Sequence, residues 1–418
     1  MMTGESVWQP DERAAMGSAS LKTCCANPVD LKPQTLSPNN RIIGYDLARA
    51  VALLGMLLVN FSLLLGNGSS DPTWVDYLIE MIKGRAAATF VVLAGVGLSL
   101  LTKSVYLNKD RAAIKAKRIT LLKRSLFLLG IGLFNFVLSP VSDILHFYAV
   151  YIAIGACLLT LSNRSLAVLA FATVAVRPLV MTSFDFVKNW DFNTVADTGI
   201  GSLLGIIGHF LFNGCFPVIP WMAFVMVGMW IGRRDLSDHY LRKKILLIGI
   251  GTVAFSESVS RVFIHVSSWA QLDPKGLLPW FGIAAGDPTP LCMLSAMGTA
   301  LAIIGFIMIL ADRCGNTSWI SPFISVGQTT LSLYVAHIIV GTLFLIAVET
   351  REMDLLFFPI WGTIVFYTSA LLFSYYWTKR FRRGPLELLM RRFLVFHGPT
   401  KIPPQDVTGG KDFPILAG

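Results

Sequence analysis

The sequence predicts an all-α fold: a polytopic transmembrane helix bundle of about ten spans, with both termini in the cytoplasm. Hydrophobic residues make up 54% of the 418 residues and charged residues only 14%, and the mean hydropathy is +0.63. Such a composition does not suit a water-exposed surface. Apolar runs of roughly 20 residues, enough for a helix to cross the hydrocarbon core, recur along the chain. Clusters of Lys and Arg separate several of these runs and orient the bundle.

Polar or Gly- and Pro-containing breaks separate the predicted spans. The first span ends at a Gly-, Asn- and Ser-rich break, the second and sixth end at basic clusters, and a Ser- and Pro-containing turn parts the third from the fourth. Pro217 and Pro220 interrupt the sixth, and residues 201–212 before it are expected to form an extra half-helix or a re-entrant piece. In chain order the spans are 43–66, 86–102, 125–140, 144–162, 165–184, 215–232, 245–265, 290–311, 324–348 and 355–378.

Basic residues predict the orientation, because short loops rich in Lys and Arg stay in the cytoplasm. Segment 103–124 holds eight Lys and Arg residues, segment 233–244 holds five and segment 379–392 holds six. These segments are therefore placed in the cytoplasm together with both termini. The loops assigned to the opposite side carry only a few basic residues: Lys83, Arg85, Lys188, Lys275 and Arg351.

The chain divides into a membrane domain and two tails. Residues 1–40 lack a sustained apolar period and are expected to form a disordered cytoplasmic tail, residues 41–393 the transmembrane domain, and residues 394–418 a cytoplasmic C-terminal tail. The first apolar run has the length of a membrane helix, so no cleavable signal peptide is expected before it. The net charge of +10 lies in juxtamembrane segments, which predicts contact with lipid and no nucleic-acid partner. The six cysteines lack metal-ligand spacing, so no metal site is predicted.

The first span carries a polar stripe. Arg49 and Asn60 are eleven residues apart, which at 100° and 1.5 Å per residue puts them on one face about 16 Å apart. One interpretation pairs Asp46 with Arg49 locally and gives Asn60 an interhelical hydrogen bond. The other brings Arg49 to an anionic group that arrives from the cytoplasm.

Further titratable residues are predicted in the outer half of the bundle. Glu257, Arg261 and His265 follow one another at four-residue steps on the seventh span, where a charge in lipid costs roughly 2.5 to 3.5 kcal/mol and needs a partner. A structural Glu257–Arg261 ion pair is one interpretation and a polar site is the other. Several His residues near acids favour a polar cavity in which imidazole exchanges protons, although any one His alone is more often a hydrogen-bonded core residue than a catalyst. The further members of the outer half are Asp143, His146, Arg177 and His209, and His337 is expected near the middle of the ninth span.

Five segments carry a resemblance to a known family. The stretch 45–60, with Tyr45-Asp46-Leu47-Ala48-Arg49 and Val59-Asn60, resembles the opening helix of the YeiB-type family of bacterial inner-membrane proteins. The resemblance covers roughly residues 41–393 and implies a multi-pass protein of the bacterial cytoplasmic membrane. Four more segments resemble that family in the same order: residues 143–149, 216–221, 331–337, which include Tyr334 and His337, and 384–387.

The YeiB-type family is similar in its first helices to polysaccharide O-acyltransferases and to heparan-α-glucosaminide N-acetyltransferase, which use cytoplasmic acyl-CoA to modify extracytoplasmic sugars. In the O-acyltransferases an Arg is followed eleven residues later by a catalytic His, and the matching pair here is Arg49 and Asn60. Asn is not a general base. The heparan enzyme resembles this chain in having Asn there but takes its His from the next few residues, whereas residues 61–73 contain none, and Ala50 replaces the usual Gly.

The leading hypothesis is a membrane-embedded acyltransferase with acyl-CoA as co-substrate and no metal. Arg49 and the basic segments attract the CoA phosphates, and the acceptor is a hydroxyl or amine of a glycan, lipid headgroup or small metabolite. His146 or His337 is the expected base, Asp143 or Glu257 orients it, Asn60 or Arg261 stabilises the oxyanion, and Tyr334 joins the substrate-binding residues.

Two other interpretations belong to different functional classes. The alternative is a transporter or exporter of a small polar solute, in which Glu257, Arg261 and His265 form the substrate or proton site and the Pro-interrupted region 201–232 forms a discontinuous helix. The third is a non-catalytic membrane scaffold or lipid-binding sensor. Under each of them the lipid bilayer is the principal partner, and a homo-oligomer is compatible with the sequence.

Overall fold

The computed structural model describes residues 43–65, 73–108, 110–139, 143–183, 203–269, 278–283, 288–314, 317–348, 357–381 and 383–396. The predicted N-terminal tail lies outside these residues, as do residues 397–418 of the predicted C-terminal tail. Within the described residues the regular elements are helices. The α-helices are α1 (Ile43–Leu65), α2 (Trp74–Ile82), α3 (Arg85–Asn108), α4 (Arg111–Leu138), α5 (Leu145–Cys157), α6 (Asn163–Ser183), α7 (Leu203–Gly208), α8 (Val218–Gly232), α9 (His239–Trp269), α10 (Leu278–Phe281), α11 (Pro290–Cys314), α12 (Ser321–Gln328), α13 (Thr330–Val348), α14 (Phe358–Phe381) and α15 (Pro385–Phe396).

The helices confirm the predicted all-α polytopic fold. In the described part of the chain, eight helical segments are long and apolar enough to cross a membrane, as judged by length and composition. Two shorter apolar segments, Leu145–Thr160 and Val218–Gly232, accompany them. Each of the ten predicted spans overlaps one of these segments. α1 lies among the others and packs on α3, α11, α12, α13 and α14.

Parts of the basic segments are helical, although these segments were predicted to be loops. α4 begins at Arg111, well before the predicted span, because Asp110 caps it by accepting a hydrogen bond from the backbone N–H of Ala112 at 2.9 Å. Lys and Arg are good helix formers and continue the helix without a break. The predicted ninth span is divided at Thr329, whose backbone leaves the helical region, into α12 and α13.

The region before α8 contains the predicted half-helix. α7 continues into a π-helical turn, His209–Asn213, and the chain leaves helical geometry at Gly214. A Cβ atom at Gly214 would lie 2.2 Å from the ring of Phe147, so only glycine permits this approach. Pro217 then precedes the first turn of α8. The half-helix thereby brings His209 toward the start of α5.

Hydrogen bonds of basic residues define one end of the bundle, which we call the basic end. Arg118 in the first half of α4 donates to the carbonyl of Ala156 at the end of α5, at 3.1 Å. Arg233, which follows α8, donates to the carbonyl of Leu161 between α5 and α6, at 2.7 Å. Tyr45 at the start of α1 lies within electrostatic range of Arg242 near the start of α9. α1, α4 and α9 therefore begin at the basic end, and α5 and α8 end there.

Candidate functional site

A carboxylate and an imidazole meet where α5 begins. Asp143 Oδ2 lies 2.6 Å from the Nδ1 atom of His146, and the same oxygen accepts the backbone N–H of His146 at 3.1 Å. Asp143 is 1% exposed and His146 is 2% exposed. A carboxylate at Nδ1 holds the proton on that nitrogen and leaves Nε2 as a proton acceptor. The Nε2 atom is buried and has no hydrogen-bond partner among the described residues.

Local sequence explains how this pair forms. The amide groups of a first helical turn lack partners within the helix, and the Asp143 carboxylate satisfies one of them in α5. Asn135 near the end of α4 donates from its side-chain amide to Asp143 Oδ1 at 3.3 Å. Gly132, one turn earlier, lets α5 approach closely, because a Cβ atom there would lie 2.4 Å from the backbone nitrogen of His146.

Tyr334 joins this pair to α13. Its hydroxyl accepts the backbone N–H of Ile144 at 3.0 Å, and Tyr334 lies within electrostatic range of Asp143. The Tyr334 ring contacts the ring of His337 edge to face, with 4.9 Å between centroids. The Tyr334 side chain therefore links the Asp143–His146 pair to the second histidine.

The second histidine binds Asn60 of α1. The side-chain amide of Asn60 lies 2.9 Å from Nε2 of His337, and Asn60 also hydrogen-bonds the Tyr334 side chain. Because the amide presents N–H to Nε2, a neutral His337 carries its proton on Nδ1. His337 is fully buried and Asn60 is 7% exposed. We call Asn60, Asp143, His146, Tyr334 and His337 the central polar cluster.

Aromatic rings surround the central polar cluster. The ring of His209 lies parallel to that of His146, with 5.8 Å between centroids and 14° between planes. Phe136 and Phe147 contact both histidine rings, and Phe61 contacts His337 edge to face. The sequence placed His209 at the depth of His146, but the π-helical turn that presents it has no signal in the sequence.

Arg49 lies away from the central polar cluster, toward the basic end. Its Nη1 atom is 3.1 Å from Asp46 Oδ1, and its side chain is 33% exposed. The local Asp46–Arg49 pair that the sequence allowed is therefore present, as is the interhelical hydrogen bond of Asn60. The helix separates Arg49 from Asn60 by about 16 Å.

The structure places Glu257 beside Arg85 and Ser295. Its carboxylate accepts hydrogen bonds from Arg85 of α3 at 2.6 Å and from Ser295 of α11 at 3.2 Å. The carboxylate that meets a histidine is Asp143, because α9 packs against α11 and Glu257 turns toward that helix. The ion pair between Arg85 and Glu257 was not predicted, because a single basic residue at the start of a span is typical of the membrane interface.

Arg261 also lies apart from the central polar cluster. Its side chain is 80% exposed, and its Nη2 atom is 3.9 Å from Glu257 Oε2. No contact with His146 or His337 is seen among the described residues, and the oxyanion role of Arg261 stays a prediction. Among the described residues no group of three or more His, Cys, Asp or Glu side chains is arranged to hold a metal ion.

Comparison with known proteins shows which family the chain belongs to. Residues 41–256, just over half of the chain, match the family described as heparan-alpha-glucosaminide N-acetyltransferase, catalytic. The chain belongs to this N-acetyltransferase family. Residues 277–397 match a second family, described as protein of unknown function (DUF418). No curated protein matches the chain.

The two matches meet in the central polar cluster. Asn60, Asp143 and His146 lie in the part that matches the N-acetyltransferase family, and Tyr334 and His337 lie in the DUF418 part. The predicted resemblance to YeiB-type proteins, and more distantly to transmembrane acyltransferases, is confirmed. Neither match supports the transporter alternative. The N-acetyltransferase family match and the apolar helices make this a multi-pass membrane protein of an acyltransferase-like family.

Proposed function

We propose that this protein transfers an acyl group from acyl-CoA to a hydroxyl or amine of a glycan, lipid headgroup or small metabolite, within a bacterial cytoplasmic membrane. The observation that carries the proposal is the buried Asp143–His146 pair, which Tyr334 links to Asn60 and His337. The N-acetyltransferase family match supports the reaction class. Oriented imidazoles are suited to move protons near neutral pH.

His146 is the general base of the proposed reaction. Asp143 orients its ring and stabilises the imidazolium that forms when Nε2 takes a proton. His337 is less suited to this step, because Asn60 already occupies its Nε2 atom. His337 instead holds the Asn60 amide beside the reacting carbonyl. His337 therefore takes no proton from the substrate.

Tyr334 and Asn60 stabilise the oxyanion. A tyrosine hydroxyl that accepts one hydrogen bond keeps a proton that it can donate, and a side-chain amide carries two N–H groups. The Tyr334 hydroxyl accepts from Ile144, one Asn60 N–H faces His337, and Asn60 and Tyr334 hydrogen-bond each other. In the proposed reaction the oxyanion replaces that last bond, and the donor that the exchange frees is turned to the oxyanion. Both groups are held in a buried site, where donors aimed at a developing negative charge are most effective.

The chemical step is a direct transfer. Nε2 of His146 removes the proton from the acceptor oxygen or nitrogen as that atom forms a bond to the thioester carbonyl carbon. The tetrahedral intermediate collapses, and the carbon–sulfur bond breaks. The CoA thiolate leaves and takes the proton from the His146 imidazolium, which gives free CoA and the acylated acceptor.

The donor enters from the basic end. The positive-inside rule predicts that this end, together with both tails of the chain, faces the cytoplasm. Arg49 attracts the CoA phosphates there, while the thioester lies at the central polar cluster. The acceptor then approaches His146 from the opposite side of the membrane.

Labelled acyl-CoA tests the proposal. Inverted membrane vesicles that contain the protein are expected to incorporate the acyl label into membrane or luminal material, and His146→Ala is expected to abolish the incorporation. His239→Ala is the matched control, since His239 is 52% exposed at the start of α9. Wild-type vesicles that incorporate no more label than empty-vector vesicles, across acyl chains of different length, would contradict the proposed function.

A further inference from the structure

A second polar group lies nearer the basic end, around Arg124 of α4. The Nε atom of Arg124 is buried, and no hydrogen-bond partner for it lies among the described residues. No described carboxylate comes within ion-pair distance of its guanidinium. A buried N–H group of a cation that lacks an acceptor is costly in a membrane domain, whereas the Arg118 side chain bonds to carbonyl groups. Such a cost is offset where the cation binds an anionic ligand.

The neighbours of Arg124 increase the positive charge. Arg49 of α1 lies within electrostatic range of Arg124, and both lie within range of the Tyr148 hydroxyl. Asp46 pairs with Arg49. Glu387 also lies within electrostatic range of Arg124, but its carboxylate is already bound to the start of α13. Among the described residues, Arg49 therefore has a carboxylate within ion-pair distance and Arg124 has none.

Tyr45 supplies an independent observation. Its side chain is 5% exposed, and its hydroxyl is buried without a hydrogen-bond partner among the residues that the structure describes. Tyr45 lies within electrostatic range of Arg49. A buried hydroxyl normally has a partner, so this group also points to a ligand that offers oxygen acceptors.

α1 and α4 repeat the same spacing. Arg49 and Asn60 are eleven residues apart on α1, and Arg124 and Asn135 are eleven residues apart on α4. Both helices begin at the basic end, and eleven residues span about 16 Å along a helix. Asn60 binds His337, while Asn135 binds Asp143. Each helix thus carries a cation and, about 16 Å further on, an amide at the central polar cluster.

We propose that Arg49, Arg124 and Tyr148 form a phosphate site that sets the reach of the acyl donor. Guanidinium groups bind phosphate oxygens through paired N–H donors, and a tyrosine hydroxyl adds a further donor. The fitting ligand carries a phosphate at one end of a flexible arm and a thioester at the other. In acyl-CoA about thirteen bonds separate the diphosphate from sulfur, which at roughly 1.2 Å per bond of extended chain spans about 16 Å. This inference rests on the proposed function. The group that binds at this site is the diphosphate that adjoins the pantetheine arm of CoA.

The test compares donors with and without phosphate. Binding of a non-hydrolysable acyl-CoA analogue and of the corresponding acyl-pantetheine analogue is measured with protein in nanodiscs of zwitterionic lipid. Wild type is expected to bind the CoA analogue at least tenfold more tightly than the pantetheine analogue. Arg124→Gln is expected to remove most of that difference, while Tyr148→Phe, which loses only a hydroxyl, reduces it severalfold. Arg313→Gln, an exposed charge loss at the end of α11, is expected to leave it within twofold.

The outcomes separate the two proposals. If wild type binds neither analogue, the proposed function fails. If wild type prefers the CoA analogue and both Arg124→Gln and Tyr148→Phe preserve that preference, the phosphate site is overturned while the proposed function stands. A lipid phosphate is the other source of the same chemistry. The amount of phosphatidylglycerol bound to wild type and to Arg124→Gln is compared in mixed-lipid nanodiscs. If Arg124→Gln binds less phosphatidylglycerol than wild type but keeps its affinity for the CoA analogue, the site binds a lipid headgroup and the proposal is also overturned.

Discussion

Asp143 Oδ2 and His146 Nδ1 lie 2.6 Å apart, and the same carboxylate oxygen accepts the backbone N–H of His146. The two contacts fix the ring relative to the helix that carries it, because the donor atoms belong to one residue. His146 is therefore held with Nε2 turned away from Asp143. Without this carboxylate the ring would be free to carry its proton on either nitrogen.

Asp143→Asn is expected to lower the turnover of acyl transfer by about 100-fold or more, since an amide neither fixes the tautomer nor stabilises the imidazolium. The donor Kd is expected to stay within a factor of about two, because Asp143 does not contact the phosphates. Turnover and donor binding, measured on the same preparation, check both statements. Wild-type turnover in this variant would remove His146 from the role of base.

Tyr334→Phe separates oxyanion stabilisation from packing. Loss of the hydroxyl is expected to reduce turnover by about 100-fold with little change in donor KM. It also leaves the backbone N–H of Ile144 without its acceptor, at a cost to the free energy of unfolding of about 1 kcal/mol. Tyr77→Phe is the control, because Tyr77 is 65% exposed on α2. An equal loss of turnover in both variants would show that the effect is not specific to the site.

Gly132→Ala tests the close approach of α4 and α5. The added methyl group would lie 2.4 Å from the backbone nitrogen of His146, so α5 must move and the Asp143–His146 geometry with it. We expect a lower melting temperature and a loss of acyl transfer beyond the loss of folded protein. Gly130→Ala is the matched control, since no heavy atom lies within 4 Å of a Cβ atom there. If the two variants behave alike, helix propensity and not proximity explains the result.

The Arg85–Glu257 pair is expected to act in helix packing. Its members are 24% and 23% exposed, and Ser295 bonds to both. Removing one partner leaves the other without this ion pair. Arg85→Met and Glu257→Leu are therefore each expected to lower the free energy of unfolding by about 1 to 3 kcal/mol. The double variant is expected to recover much of that loss. Thermal unfolding in detergent checks the double-mutant cycle, and strictly additive losses would contradict the direct pairing.

The sequence predicted what depends on neighbours along the chain. Span lengths follow from apolar runs, and the common face of Arg49 and Asn60 follows from helix geometry. Contacts between residues that are distant along the chain could not be predicted from the sequence. The Asn60–His337 bond joins residues 277 positions apart, and the Arg85–Glu257 bond joins residues 172 apart. Periodicity gives the depth and face of a residue, but the helix against which it packs is set by tertiary structure.

The position of Glu257 shows this limit. Its depth matched that of His146, and an acid at the depth of a histidine was the basis for pairing them. The packing of α9 on α11 turned Glu257 toward Arg85 and Ser295 instead. By contrast, the Asp143–His146 pair is three residues apart in sequence, so a local contact was available to it.

Release of free CoA thiol by the purified protein tests the central claim most directly. The protein in nanodiscs is supplied with acyl-CoA and with a bacterial membrane extract as the source of acceptor. The wild-type protein is expected to release thiol. His146→Ala is expected to lower the rate of release by at least 100-fold, and His239→Ala is expected to leave it unchanged. Equal rates of thiol release from wild type and His146→Ala would contradict the account.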